Sequence, residues 1–183
     1  MMARFNSKFT LILLFVLGLP GLALAQASAE LAVTSSAFTA GAPIPVGYTC
    51  KSSNVESPPL SWQGVPKDTE TLVLIVKDPD APHGPFIHWV VYNLPASVNG
   101  LSANVPASEK LANGALQGVN SLGRIGYKGP CPPLGDSPHH YHFNLSALDT
   151  KLNLKPGATA EQVEEAMRGH VKATAEVVGT FAR

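Results

Sequence analysis

The chain has 183 residues, of which 45% are hydrophobic and 14% are charged, and its 13 basic and 13 acidic side chains balance. Because no run of Lys or Arg occurs, nothing in the charge pattern supports binding to nucleic acid or to an anionic membrane surface. Its 16 prolines and 16 glycines divide the chain into short pieces, which is typical of a β-rich fold with many turns.

The N-terminal segment has the pattern of a signal peptide. Positive side chains precede an apolar stretch over residues 9–19, and a small-x-small sequence ends at Ala25. The apolar stretch is shorter than the roughly 20 residues that a membrane span requires. We expect a signal peptide at 1–25 and one exported domain at 26–183, periplasmic or secreted and without a transmembrane span. The alternative is an uncleaved anchor or a buried N-terminal helix.

The two cysteines, Cys50 and Cys131, agree with export. In an oxidising compartment an even pair indicates one disulfide. The alternatives are two free thiols or part of a metal site. Zinc is the weaker interpretation because neither cysteine belongs to a Cys-x-x-Cys pair.

The middle of the chain contains two predicted strands and a long connection. Residues 71–77 form a β-branched apolar run, typical of a strand that is buried on both faces. Residues 87–94 form a second strand, which Pro95 ends. Residues 96–124 are rich in Asn, Ser, Gly and Ala without a firm period. So long a connection is often functional or contains short elements that the pattern does not reveal.

The last third of the chain contains two further strands with a helix between them. Residues 139–148 alternate between apolar and polar positions, and residues 173–181 have the same pattern. Thr159 begins a capping box, and apolar residues continue at helical spacing as far as His170. The pattern therefore predicts a mainly β fold, a β-sandwich with a few peripheral helices, one of them near the C-terminus.

Polar residues concentrate in two segments beside the predicted strands. The first segment is Asp78-Pro79-Asp80-Ala81-Pro82, and the second runs from Gly129 to Gly135 before a group of histidines. Strand alternation places His88 on one face with Val90 and Tyr92. In the later strand it places His139 and Tyr141 on the core-facing side, and His140 and His142 on the opposite side.

An aspartate, two histidines and a tyrosine that converge form a suitable cradle for phosphate or carboxylate. Imidazole and phenol groups donate to the anion, while Asp78 accepts the second ring proton of a histidine and favours its charged form. Affinity should then weaken as pH rises through the imidazole range, if His88 or His139 donates in its charged form. The alternative is a structural role for each histidine and a simple turn after Asp78.

The ordered set of these motifs resembles the phosphatidylethanolamine-binding protein (PEBP) family, also called Raf kinase inhibitor-like proteins. The first signature is similar to Asp78 to Pro82 followed by His88, and the second to Gly129 to Gly135 followed by His139-x-Tyr141. Other stretches, around Cys50 and near His170, resemble its bacterial branch. The resemblance implies a β-sandwich around a central antiparallel sheet with a small anion pocket. It places these ligand-binding residues in the pocket: Asp78, His88, His139 and Tyr141, with Pro82 and Pro133 as walls.

Two details qualify this resemblance. Many members carry Arg between the second-signature His and Tyr, whereas this chain has His140, which alternation directs away from the pocket. A partner that required the Arg is therefore in doubt, although the anion site is not. Cys131 lies inside the pocket loop, so that a bond to Cys50 would brace the loop.

The leading hypothesis is a binding protein for a phosphate-bearing ligand such as a phospholipid head group, with no cofactor. The alternative is an inhibitor or interaction protein that acts on an envelope or host enzyme. A hydrolase is the weakest hypothesis, because the chain has no recognisable catalytic motif. His140 and His142 have a spacing found in some zinc sites, but without an evident third ligand we expect no metal site.

Overall fold

The structure, a computed structural model, describes residues 30–183, so the expected signal peptide at 1–25 lies outside the described residues. The elements are a 3-10 helix (Val46–Tyr48), the α-helix α1 (Ala160–Ala166) and eight strands: β1 (Ala32–Thr34), β2 (Leu60–Gln63), β3 (Thr71–Asp78), β4 (Phe86–Pro95), β5 (Gly100–Leu101), β6 (Leu116–Gln117), β7 (His139–Leu148) and β8 (Val171–Phe181). None of the helices in this part of the chain has the length and apolar character needed to cross a membrane.

The strands form two antiparallel sheets. The smaller has the order β1-β2-β5 and the larger has the order β6-β4-β3-β7-β8. Trp62 and Leu60 of the smaller sheet belong to the same apolar core as Phe143 and Leu145 of the larger one. The predicted β-sandwich around a central antiparallel sheet is therefore confirmed.

The central strand β3 is buried on both faces, as its unbroken apolar run predicts. Leu72 and Leu74 face the core between the sheets. Val73 and Ile75 face a second apolar cluster, which includes Val163 of α1. Since each face of β3 is covered, an alternating polar pattern has no place in this strand.

The predicted capping box begins helix α1. The Thr159 side chain accepts from the Gln162 backbone N–H, and the Gln162 side chain accepts from the Thr159 N–H. The helix is shorter than the sequence spacing indicates, because it ends at Ala166, and Gly169 follows with φ +80°. His170 therefore lies beyond the helix, where it pairs with Asp149.

The long connection over residues 96–124 contains short elements, as one of the two interpretations of its sequence predicts. β5 lengthens the smaller sheet, and β6 forms the edge of the larger sheet beside β4. Gln117 of β6 is buried and its side chain accepts from Trp89 Nε1 at 2.7 Å. Its amide donates to the carbonyls of Pro106 and Ser108, which fixes the preceding loop.

Candidate functional site

A small cavity lies at one edge of the larger sheet, where β3 ends and where β4 and β7 begin. These three strand ends meet because neighbouring strands run antiparallel. The cavity has a volume of about 260 Å³, which suits a small ligand rather than a drug-sized one. Its lining residues come from the two polar segments and from β4 and β7: Asp78, Ala81, Pro82, His83, Phe86, His88, Cys131, Pro132, Pro133 and His139.

Asp78 and His139 form a buried pair in the wall of this cavity. Asp78 Oδ2 lies 2.8 Å from His139 Nδ1, and Asp78 Oδ1 accepts from the Asp80 N–H at 2.9 Å. Both side chains are only 5% exposed. The sequence predicts a carboxylate partner for a histidine at this position, and the structure shows that His139 has one.

The charge of Asp78 controls the protonation of His139. Burial alone lowers the pKa of His139, but the hydrogen bond to Asp78 and the negative charge of Asp78 outweigh burial and hold this pKa above its ordinary value. A larger fraction of the ring is therefore charged near neutral pH than for a free histidine. With Nδ1 turned to Asp78, Nε2 is the ring nitrogen left for another partner.

His88 reaches the cavity through a β-bulge, and here the simple alternation is wrong. Val76 pairs with Trp89 and Lys77 pairs with Ile87, so that His88 is the extra residue between two pairs. Val90 and Tyr92 face the helix α1 cluster. The His88 ring instead packs edge-on against Tyr141 at a centroid distance of 5.1 Å, on the face toward the smaller sheet.

The environment of His88 keeps its ring neutral. Burial lowers the pKa of His88 to about 4, although the hydrogen bond to the Lys128 carbonyl and the charge of Asp78 act in the opposite direction. Nδ1 lies beside the Lys128 carbonyl oxygen, which can only accept, so Nδ1 carries the proton. Nε2 of His88 is consequently an acceptor near neutral pH. A charged donor role thus falls to His139.

Tyr141 lies beneath the cavity rather than in its lining. Its side chain is fully buried, and its hydroxyl makes no hydrogen bond of good geometry within residues 30–183, although the Asp78 carboxylate is near enough to act on it. Burial, followed by the negative charges of Asp78 and Asp80, raises the pKa of Tyr141, so the hydroxyl stays protonated. An unpartnered buried hydroxyl is costly in a folded protein. The Tyr141 hydroxyl is therefore an unpaired hydrogen-bond donor next to the cavity.

The predicted disulfide between Cys50 and Cys131 is present, with its Cα atoms 5.3 Å apart. The Cys50 N–H also donates to the carbonyl of Pro130 at 3.0 Å. Cys131 lines the cavity, so the bond ties the cavity loop to the segment around Cys50. A disulfide of this kind is typical of a protein that resides outside the cytoplasm.

The remaining predicted residues lie as the sequence indicates. Pro82 and Pro133 both line the cavity. His140 points outward, and its ring and its backbone N–H both lie 2.8 Å from Asp80 Oδ2. Asp78 and Asp80 have the same phase in the strand, so the sequence pattern does not distinguish their roles. Their partners in the structure do, because Asp78 contacts His139 and Asp80 contacts His140.

The sequence reasoning missed His83, Phe86 and Asp136. Phe86 pairs with Asp78 across β3 and β4 and packs on the His88 ring at 4.8 Å. Phe86 could have been identified from the pairing of β3 with β4, because it lies directly opposite Asp78. Asp136 Oδ2 lies 3.4 Å from His139 Nε2, three residues away along the cavity loop. The signal available in the sequence was that Asp136 stands only three residues before the candidate His139.

A larger groove of about 410 Å³ lies beside α1, but none of its polar side chains is a buried group without a partner among residues 30–183. Lys77 Nζ pairs with Glu164 at 2.8 Å across the groove. Ser121 Oγ accepts from the Ile87 N–H. The smaller cavity, with an unpartnered hydroxyl beside it, is therefore the better candidate for a polar ligand.

The chain is thus a β-sandwich protein with a histidine- and aspartate-lined pocket at one sheet edge, and comparison with known proteins gives its family. The family model described as phosphatidylethanolamine-binding protein matches residues 34–182. The chain belongs to this family. A UPF0098 protein of Methanothermobacter thermautotrophicus is 50% identical over 147 residues, which cover 80% of this chain and 95% of that protein.

A solved structure and a further relative agree with this assignment. The crystal structure of E. coli YbcL, described as a member of the mammalian PEBP family, superposes with a TM-score of 0.78 at 36% identity, covering 85% of this chain and 99% of YbcL. A Mycobacterium tuberculosis protein that bears the name lipoprotein LppC is 42% identical over 158 residues, 86% of this chain and 75% of that protein. In this chain, the disulfide is the feature that points to a place outside the cytoplasm. The family description and these names indicate no catalytic activity.

Proposed function

We propose that this chain is an exported binding protein whose cavity holds a small anion, such as the phosphate of a phosphorylated metabolite or of a phospholipid head group. The observation that carries the proposal is the buried pair of Asp78 and His139 in the cavity wall. Burying a carboxylate and an imidazole costs free energy unless hydrogen bonds and an opposite charge compensate for the lost water. In this pair Nε2 of the charged ring faces away from Asp78, and among the described residues only the half-exposed carboxylate of Asp136, 3.4 Å away, competes with a ligand for its N–H.

The other polar groups complement such an anion. Tyr141 supplies a second donor, because its hydroxyl is protonated and lacks a partner within the described residues. His88 supplies an acceptor, which suits a ligand with an O–H or N–H group beside its charge. Pro82 and Pro133 fix the loop backbones of the walls, so less ordering entropy is lost on binding.

We further propose that export proceeds through the signal peptide expected at 1–25, with cleavage after Ala25, and that 26–183 forms a single domain in the periplasm or outside the cell. The disulfide and the name of the relative LppC support a place outside the cytoplasm. Mass spectrometry of the protein purified from cell fractions tests this. A chain that retains its first residues in the cytoplasm would contradict it.

The binding proposal is tested by calorimetric titration of the oxidised protein with inorganic phosphate and with phosphoethanolamine. His139→Ala should weaken binding at least about tenfold, because a charged hydrogen bond of this kind contributes ~1.5–3 kcal/mol. His170→Ala is the matched control, since His170 forms an equivalent pair with Asp149 at 2.9 Å on the surface. Equal affinities of the His139→Ala variant and the wild type would overturn the role of His139. If no protein binds either ligand, the anion function is wrong.

The pH dependence gives a second readout. The raised pKa of His139 means that its charged form is lost as pH rises above the ordinary imidazole range, so affinity should fall on the alkaline side. Sulfate is the better probe here, because its charge stays constant between about pH 5 and 9 while that of phosphate changes. A sulfate affinity that does not change over this range would exclude a charged histidine as the donor.

A further inference from the structure

A second carboxylate lies on the free side of His139. The Nδ1 atom of the ring faces Asp78 at 2.8 Å, and the Nε2 atom lies 3.4 Å from Asp136 Oδ2. Both ring nitrogens of His139 therefore face a carboxylate. The place at Nε2 is the one that the proposed function gives to the oxygen of a ligand.

The two carboxylates differ in how firmly they are held. The Asp78 side chain is 5% exposed, whereas that of Asp136 is 41% exposed. Gly135, which has φ +90°, directly precedes Asp136. A Cβ added at Gly135 would meet no atom within 4 Å, so the loop is open to solvent at this point. The backbone N–H of Asp136 is held only by a long contact of 3.4 Å to the Pro133 carbonyl. Asp136 can therefore turn into water without disturbing packed atoms, while Asp78 cannot.

The charges that face His139 make this contact important. Asp78 and Asp136 touch the ring, and Asp80 acts on it through space. The cavity lining contains no Lys or Arg among residues 30–183, and the nearest guanidinium contact to the lining is that of Arg183, whose Nη1 lies 3.4 Å from Cys131 Sγ. An anion that approaches Nε2 while Asp136 stays in place would meet the Asp136 carboxylate beside the charged imidazole, with Asp78 on the other side of the ring and Asp80 paired with His140.

We propose that Asp136 is a built-in competitor for the anion site, whose carboxylate occupies Nε2 of His139 in the empty pocket and must leave before an anionic ligand binds. The inference rests on the proposed function of the same cavity. An internal competitor lowers the apparent affinity of every ligand by the fraction of molecules in which the site is free. Asp136 thereby keeps anions that make only one weak contact from occupying the site, because their apparent affinity becomes too low.

The test is phosphate and sulfate titration of the full oxidised protein and of Asp136→Asn at constant pH. Asp136→Asn should bind both anions roughly 3- to 10-fold more tightly, as expected when a half-exposed ion pair to a buried ring no longer competes. Asp80→Asn is the matched control, because it removes the same charge nearby without contact to Nε2 and retains an oxygen for the His140 N–H. Its affinity should change less than about twofold.

The possible results separate this inference from the proposed function. Equal or weaker binding by Asp136→Asn, with measurable binding by the wild type, would overturn the competitor role and leave the anion function intact. An equal gain in anion affinity by Asp80→Asn would also overturn the competitor role, since the loss of any nearby negative charge would then explain the effect of Asp136→Asn. If neither the wild type nor Asp136→Asn binds, both are wrong. Binding by Asp136→Asn alone supports both.

A ligand-free measurement tests the contact itself. Because Asp136 helps to raise the pKa of His139, Asp136→Asn should lower the titration midpoint of the His139 imidazole in the nuclear magnetic resonance spectrum of the free protein. The midpoints of His170 and His142, which pair with Asp149 and Glu176, serve as internal references. An unchanged His139 midpoint would show that the contact does not exist in solution, and the competitor role would fall with it.

Discussion

The two ends of the central strand β3 bury polar side chains in opposite ways. At the end near Thr71, Asn93 donates to the Leu152 carbonyl at 3.0 Å and accepts from the Leu152 N–H at 2.8 Å. The Thr71 hydroxyl donates to the Thr150 carbonyl at 2.6 Å. At the end near Asp78, the hydroxyl of Tyr141 lacks a partner among the described residues. The first end is thus closed at Asn93 and Thr71, although the half-buried Thr69 nearby has a buried hydroxyl without a partner among the described residues. The second end is open, because the fully buried Tyr141 keeps an unused donor.

This difference separates structural polar groups from candidate binding groups better than burial does. Asn93 and Tyr141 are both buried, at 5% and 1% exposure. What distinguishes them is whether the protein itself supplies every partner. Buried polar groups in stable proteins are nearly always paired, so an end with unused donors indicates a group outside the protein as the missing partner. The following predictions test this contrast, from the largest effect to the smallest.

The largest effect is expected from the disulfide that braces the open end. Replacing both Cys50 and Cys131 by Ser should lower the free energy of unfolding by about 4 kcal/mol, because the bond closes a loop of 81 residues in the unfolded chain. Phosphate affinity should also fall, since Cys131 lies in the cavity wall. Urea unfolding and calorimetry measure the two effects. A stability loss with unchanged affinity would mean that the bond braces the fold but not the site.

The closed end should be sensitive to the loss of its partners. Asn93→Ala should cost about 3 kcal/mol of unfolding free energy, since it removes two buried hydrogen bonds and forces Ala into the left-handed region at φ 56°. Asn93→Gly removes the same bonds without the backbone strain, so it should be about 1 kcal/mol less destabilising. Phosphate affinity of the folded variants should not change. Weakened binding would show that the two ends are coupled.

Much of this arrangement follows from sequence patterns. The alternation in β7 correctly places His139 and Tyr141 inward and His140 outward, because residues 139–147 pair one for one with β8 without a bulge. The buried run of β3 and the capping box of α1 are equally local signals.

What the sequence did not reveal depends on irregularity and on distant contacts. The bulge at His88 transfers its ring to the other face, and a pattern of period two has no means to signal an extra residue. Asp136 meets His139 through the shape of a glycine-containing loop, which spacing alone does not fix. The tautomer of His88 depends on the Lys128 carbonyl, 40 residues along the chain, and the neutral state of the ring depends on its burial.

The neutral ring of His88 should make the open end sensitive to acid. Its pKa is lowered to about 4, so the unfolded chain takes up a proton near pH 6.5 while the folded protein does not. Stability is therefore complete above about pH 6.5, and about 3 kcal/mol is lost as pH falls from there toward 4. His88→Asn, whose amide can still donate to the Lys128 carbonyl, should lose much less stability over this range. Parallel pH profiles of the two proteins in urea unfolding would refute this account.

The smallest change in stability is expected where a donor has no partner. Tyr141→Phe removes only the hydroxyl, which accepts and donates nothing within residues 30–183, so the free energy of unfolding should change by less than about 1 kcal/mol and should rise if it changes at all. Phosphate affinity should nevertheless fall by about 10-fold, because the anion loses one donor. Asn93→Ala should show the opposite combination, with a large loss of stability and unchanged affinity. If Tyr141→Phe is strongly destabilising, the hydroxyl has an internal partner in solution and the distinction between an open and a closed end fails.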